Sequence, residues 1–200
     1  MMIEDLVRKN RSCRRFYEDH HLDAETLMKL VNLARLSASA ANRQPLRFVL
    51  SWQAETNQVI FPCLGWAGYL TDWPGPAEGE RPAAYIIITG DTRLTDNFWC
   101  DHGIAAQSIL LGAREMGLAG CMIGAFNERR LRPALGIADY LKIMLVLALG
   151  KPRETVVIEN LEPDGDIRYW RDENGRHHVP KRSLKDLIIE PSVPKGPSEG

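Results

Sequence analysis

The chain has few cysteines, almost no excess charge and no long apolar run, and each shortage removes a class of function. Its four cysteines, Cys13, Cys63, Cys100 and Cys121, stand far apart with no Cys-x-x-Cys pair. That argues against a zinc site or a disulfide framework and fits a reducing compartment. Lys and Arg number 25 against 26 Asp and Glu, a formal net charge of -1. The basic field of a nucleic-acid binder is therefore missing, and no nucleic-acid partner is expected. No stretch reaches the ~18–20 apolar residues of a membrane helix, so no membrane partner is expected. The opening Met-Met-Ile-Glu-Asp-Leu lacks the basic-then-apolar layout of a signal peptide, and a cytoplasmic location is expected. No Gly-x-Gly-x-x-Gly follows a strand pattern, which argues against a dinucleotide Rossmann site.

What is present suits an ordinary globular protein: 44% hydrophobic and 26% charged residues in 200. One domain is expected over residues 1–190, with an extended tail over 191–200 rich in proline. Ile3, Leu6 and Val7 lie at helical spacing. Asp23 is suited to cap a second helix whose apolar stripe is Leu27, Leu30, Val31 and Ala34. A strand is predicted at 46–52, and Tyr85–Thr89 is a continuous apolar run, as in a strand buried on both faces. Asp101 is read as the cap of a helix over 102–116 ended by Gly117. That helix is apolar almost all round and rich in small residues. It packs either in a monomeric core or against the same helix of a second subunit.

Strands at 119–124 and 141–149 flank a short helix capped by Asn127 and closed by Gly136. A polar ribbon follows over 156–180, where Asn174-Gly175 signals a type I′ turn. A helical turn is expected from Leu184. The segment 53–82 is broken by Pro and Gly and carries Trp66, Tyr69 and Trp73. A short helix is expected near 57–71, then a loop that either covers the core or closes over a ligand. The elements alternate without a βαβ rhythm. The fold class is therefore α+β: a mixed, mostly antiparallel sheet flanked by helices.

Three polar clusters stand out. Arg11-Ser12-Cys13-Arg14 follows the first helix. Ser39, Asn42 and Gln44 occupy a helix-to-strand loop, a usual place for binding groups. Lys181-Arg182 lies near the C-terminus. A guanidinium fork and a hydroxyl suit a phosphate, while Asn and Gln suit the edge of a polar ring. One ligand with a phosphate at one end and a flat heteroaromatic ring at the other would use all of them, and flavin mononucleotide (FMN) fits. Plainer readings compete. Arg11, Ser12 and Arg14 can simply close a helix. The loop residues can cap their own backbone. Lys181 and Arg182 can be solvated tail charges. The histidine pairs His20-His21 and His177-His178 have no neighbour at ligand spacing, so no metal is expected.

Arg11-Ser12-x-Arg14-x-Phe16 and Ser39-x-x-Asn42-x-Gln44-Pro45 resemble the nitroreductase family of flavin-dependent oxidoreductases. Gly103-Ile104-Ala105-Ala106-Gln107-Ser108, Met116-Gly117-Leu118 and Ala148-Leu149-Gly150-Lys151-Pro152 extend the likeness over roughly residues 3 to 189. The chain departs from the usual pattern at Asn10, Ala38, Ala41 and Leu46, where a second Arg, a Pro, a Gly and an aromatic are common. The resemblance implies an intertwined homodimer with FMN at the interface. Its cofactor-binding residues would be Arg11, Ser12, Arg14, Ser39, Asn42, Gln44, Gly120, Cys121 and one of Lys181 and Arg182. Gly120 and Cys121 would pass over the flavin through their backbone, and Cys121 reads as a buried, inert thiol. The implied activity is transfer of hydride from NADH or NADPH to flavin, then of electrons to a small-molecule substrate such as a nitroaromatic or quinone. No side chain is singled out as catalytic, because the chemistry belongs to the cofactor. Reductive dehalogenation, flavin fragmentation and flavin binding without turnover are the alternatives.

Overall fold

The computed structural model describes residues 2–191. Its helices are α1 (Ile3–Lys9), α2 (Ala24–Leu36), α3 (Ala54–Ile60), α4 (Asp101–Glu115), α5 (Glu128–Ala134) and α6 (Leu184–Leu187). Its strands are β1 (Phe16–Tyr17), β2 (Leu46–Ser51), β3 (Ala84–Asp91), β4 (Ala119–Ile123), β5 (Leu141–Pro152), β6 (Val156–Asn160), β7 (Trp170–Arg171) and β8 (His177–Lys181). The main sheet is antiparallel. β3 lies between β2 and β5, and the far edge of β5 is shared by β4 and β1. A second sheet of three strands pairs β8 in parallel with β6 and antiparallel with β7. The expected α+β architecture is the one observed.

Alternation along β3 builds two cores. Ala84, Ile86 and Ile88 face α2 and α4, while Tyr85 and Ile87 face Ile60, Cys63 and Leu131 on the opposite side. The strand is buried throughout, which is why its sequence shows no polar face. α2 forms where its stripe demands: Asp23 accepts from the Thr26 N–H at 2.8 Å, and Leu27 and Leu30 are fully buried. α4 ends at Gly117, whose φ of 77° allows the Leu118 N–H to reach the Ala113 carbonyl at 2.9 Å. Asn127 caps α5 as expected.

Several expectations need correction. Asp101 does not cap α4. It is the first residue inside the helix, 4% exposed, and its carboxylate serves the loop at Ser39. On α4, Gly112 packs against a neighbour in the same chain, since a Cβ there would stand 2.2 Å from Leu33 of α2, whereas Gly103 has open space around it. The helix expected near 57–71 is instead α3, followed by a 3-10 turn at Phe61–Cys63. At Asn174-Gly175 only Gly175 has positive φ, whereas a type I′ turn needs two such residues. The Gly175 N–H donates to the Asp172 carbonyl at 3.0 Å, so a type I turn followed by a left-handed glycine closes the hairpin. Of the expected tail, all but Pro191 lies outside the described residues.

Gly120 is fixed by packing. A Cβ there would stand 2.6 Å from the Ala148 carbonyl oxygen and 2.6 Å from Leu110 Cδ2. Backbone cannot yield as a side chain does, so Gly120→Ala should cost about 1–3 kcal/mol. Urea unfolding checks this, and an unchanged midpoint would contradict it.

Candidate functional site

Arg11 to Arg15 run as an extended segment alongside β4. Ser12 bridges Gly120, and the Cys13 N–H donates to the Gly120 carbonyl at 2.9 Å. Extended backbone sends alternate side chains to opposite sides. Arg15 points away and pairs with Glu80, its Nε 2.7 Å from the carboxylate. Arg14 points toward β8, where Nη1 lies 3.3 Å from His177 Nε2. Its backbone N–H donates to Glu154, a carboxylate with no exposed side-chain surface that also accepts from Arg171 at 3.1 Å. Arg11 folds back on α1, donating to the Asn10 and Val7 carbonyls at 2.7 and 3.0 Å. That is the helix-closing role a basic residue can take.

Of this segment, Arg11, Ser12 and Arg14 line a cavity of about 260 Å³ with Gln107, Met122, Tyr169, His177 and Lys181. Arg11, Arg14 and Lys181 are its charged members, and no Asp or Glu lines it. An adjoining cavity of about 140 Å³ shares Arg14, Met122 and Tyr169 and is walled by residues 65–68 and 121–125. Together they form an elongated cleft, cationic at one end and rich in small residues and backbone at the other. Trp66, on the wall of the second cavity, has a buried Nε1 without a partner. Residues 64–79 reach the ribbon through Tyr69, whose ring lies 5.0 Å from that of Tyr169, and through Trp73, 4.6 Å beneath the Arg171 guanidinium.

The second expected cluster is elsewhere in the chain. Ser39 Oγ donates to Asp101 at 2.6 Å and accepts from the Gln44 N–H at 2.9 Å, while the Ala40 N–H meets the same carboxylate at 3.0 Å. The loop is tightly wound: Ala41, Asn42 and Gln44 have φ of 50°, 51° and 48°. That left-handed conformation costs a residue with a Cβ roughly 1–2 kcal/mol. Ser39 and Gln44 line a separate cavity of about 190 Å³ with Arg47 and Asp101, and it shares no lining residue with the cationic cleft. Asn42 is exposed. Within one copy of the chain, then, a single ligand in the cationic cleft does not meet both clusters.

A family model, the nitroreductase family, matches residues 7–60 and 79–151. The chain belongs to the nitroreductase family. A curated relative from Archaeoglobus fulgidus, whose name couples NADH dehydrogenase and NAD(P)H nitroreductase, is 27% identical over 148 residues, 70% of this chain and 80% of that protein. Among solved structures, a nitroreductase family protein from Clostridium difficile 630 has a TM-score of 0.68 at 19% identity, covering 96% of this chain and 100% of that one. A protein from Clostridium difficile R20291 described as an FMN-dependent nitroreductase has a TM-score of 0.63 at 21% identity, covering 76% and 88%. At these identities the structural likeness concerns the fold. The chain is an oxidoreductase of the nitroreductase type, and no helix among its described residues is long and apolar enough to cross a membrane.

The remaining expected residues differ in their surroundings. Lys181 lines the cationic cavity and the neighbouring Arg182 does not. Cys121 walls the adjoining cavity but is 3% exposed, and burial pushes its thiol up despite Arg14 and Ser12 nearby. Gly120 is buried among Ala148, Leu110 and Leu149. Gln107, Tyr169 and His177 went unnoticed as site residues in the sequence. The available signal was period-two alternation along the ribbon, which sends His177 inward and His178 to the other face.

These adjacent histidines titrate in opposite directions. Burial, with Arg14 and Arg171 nearby, lowers His177 to about 4. Burial also lowers His178, but hydrogen bonds to Glu159 at 2.6 Å and Asp172 at 3.2 Å outweigh it, and the net shift is upward. His178 stacks on Trp170 with ring centroids 4.0 Å apart. His177 should therefore contribute stability that is present above pH 6.5, its usual value, and lost as pH falls toward about 4. His178 should contribute stability that is present below 6.5 and lost as pH rises through its elevated value. In urea unfolding across pH, His177→Gln should flatten the acid limb and His178→Gln the alkaline limb. Profiles that superimpose on wild type would contradict the assignment.

Proposed function

We propose that the chain is an FMN-dependent oxidoreductase that takes hydride from NADH or NADPH and passes electrons to a nitroaromatic, quinone or related acceptor. The observation that carries this reading is the acid-free cleft in which Arg11, Ser12, Arg14 and Lys181 converge. The donor set fits the cofactor: two guanidiniums, an ammonium and a hydroxyl suit a phosphate dianion. The adjoining wall of residues 65–68 and 121–125 leaves room for a flat ring. When bound, the flavin supplies the hydride and electron chemistry. The protein's part is to neutralise the phosphate with Arg11 and Lys181 and to hold the ring against backbone. Similarity to a protein described as an FMN-dependent nitroreductase supports the cofactor assignment.

A homodimer completes the site in this reading. The Ser39–Gln44 loop is held rigid by Asp101 and presents Asn42 and Gln44 at the surface, away from the cleft of its own chain. A second copy would bring that loop to the ring edge. α4 leaves Ile104 and Leu111 half-buried, and α1 leaves Ile3 and Val7 exposed, which is apolar surface that a partner would cover. The four free thiols, three of them buried, suit a reducing cytoplasm.

Purified protein should be yellow and release FMN on heating, and it should sediment at about twice the 22.5 kDa chain mass. A colourless protein that takes up no added FMN would end the flavin reading. In fluorescence titrations of apoprotein, Arg11→Ala and Lys181→Ala should each weaken FMN about 10- to 150-fold, from ~1.5–3 kcal/mol per charge-assisted contact. Riboflavin, lacking the phosphate, should be nearly unaffected, and Arg182→Ala should behave like wild type. Equal losses for both ligands would move the phosphate away from this end of the cleft.

A further inference from the structure

We propose that His177 is a positioning residue whose neutral imidazole holds the Arg14 guanidinium at the junction of the two cavities, so that the full positive charge of Arg14 is kept for an anionic group of the ligand. It rests on the flavin reading above for the identity of that ligand. The contact itself is geometric. A guanidinium has donors only, so at 3.3 Å from Arg14 Nη1 the imidazole Nε2 must accept. The ring proton is then on Nδ1, which is buried without a partner. Tyr169 completes the grip. Its ring lies 4.9 Å from Arg14 Cζ and its centroid 5.0 Å from that of His177. The guanidinium is packed by two uncharged rings.

The contrast with neighbouring arginines gives this arrangement its meaning. Arg15 and Arg153 pair with Glu80, and Arg171 pairs with Glu154. Among the described residues, no carboxylate lies within ion-pair distance of the Arg14 side chain. Glu154 is close, yet it takes the Arg14 backbone N–H and spends its other oxygen on Arg171. A carboxylate at position 177 would fix Arg14 equally well but would cancel its charge toward the cavity. A protonated histidine could not accept and would repel it. A neutral acceptor is the side chain that both orients the fork and leaves its field intact. The surroundings keep it neutral: burial disfavours the charged ring, Arg14, Arg171 and His178 add to that, and Arg11 and Lys181 line the same cavity.

The test is a double-mutant cycle read by FMN titration of apoprotein. His177→Leu should lose about 10-fold in FMN affinity, one hydrogen bond to a charged group. His177→Gln keeps an amide oxygen near the Nε2 position and should stay within about 3-fold of wild type. His177→Glu keeps an acceptor but pairs the charge, and should lose more than His177→Leu. His177→Leu combined with Arg14→Ala should bind no worse than Arg14→Ala alone, because the histidine acts through the arginine. Additive losses, or a His177→Glu protein that binds FMN like wild type, would overturn the assignment. The contact is also read without flavin. By NMR of apoprotein, His177 should titrate at about 4 in wild type and measurably higher in Arg14→Ala, with burial and Arg171 still holding it below 6.5. An unchanged titration would overturn the contact even if the leucine variant folds poorly. Wild-type protein that binds no FMN would instead refute the flavin reading, with the NMR result still deciding the contact.

Discussion

Strand β5 is hydrogen-bonded along both edges, and the site depends on where that strand runs out of cover. On one side it carries β3, and on the other β4 and then β1. Val146 to Gly150 are buried, so this stretch must be apolar on both faces and cannot itself present a polar group. Polar residues begin again at Lys151, and three residues on the chain places Glu154 beside the Arg11–Arg15 segment. Its buried carboxylate is tolerated because two donors meet it, the Arg14 N–H and Arg171. One carboxylate thus joins the N-terminal segment to the ribbon that supplies Tyr169, His177 and Lys181. Without that junction the cationic cleft would lose the ribbon side of its lining.

The charge distribution around the cleft follows from alternation in two extended segments. Between Arg14 and Arg15 one residue of spacing decides whether a guanidinium faces the cleft or Glu80. Between His177 and His178 one residue decides whether an imidazole is a neutral acceptor or an ion-pair partner of Glu159 and Asp172. Identical neighbours in sequence acquire opposite electrostatic roles because a strand presents them to different surroundings. The cleft remains free of carboxylates while the surfaces behind it are laced with ion pairs.

The loop over residues 37–45 shows the same economy under greater strain. Three residues with side chains adopt left-handed backbone within four positions, and Asp101 opposes that strain with two hydrogen bonds at the start of α4. Strain of this kind persists where surrounding structure fixes it, and it is concentrated at functional sites. Ala41 occupies a position where glycine would be free of it, which makes the Asp101 brace more necessary in this chain.

Local rules recovered much of this protein from its residues alone. The Asp23 and Asn127 caps, the Gly117 stop, the doubly buried β3 and the α+β class all depend on a few consecutive positions, so they were legible. Arg11, Ser12 and Arg14 are legible as a cluster of donors, and the structure brings them to one cavity. Asp101 was misread as a cap because a capping and a loop-bracing carboxylate look alike until the partner is known. Asn174-Gly175 was misassigned because turn type depends on the register of the flanking strands. Sequence could not choose between Lys181 and Arg182, and it passed over His177, since both depend on which face of β8 meets the N-terminal segment. Nor could it show that the Ser39–Gln44 loop and the cationic cleft lie apart in one chain. Residues distant in sequence are joined or separated by sheet order and helix packing, which no local pattern encodes.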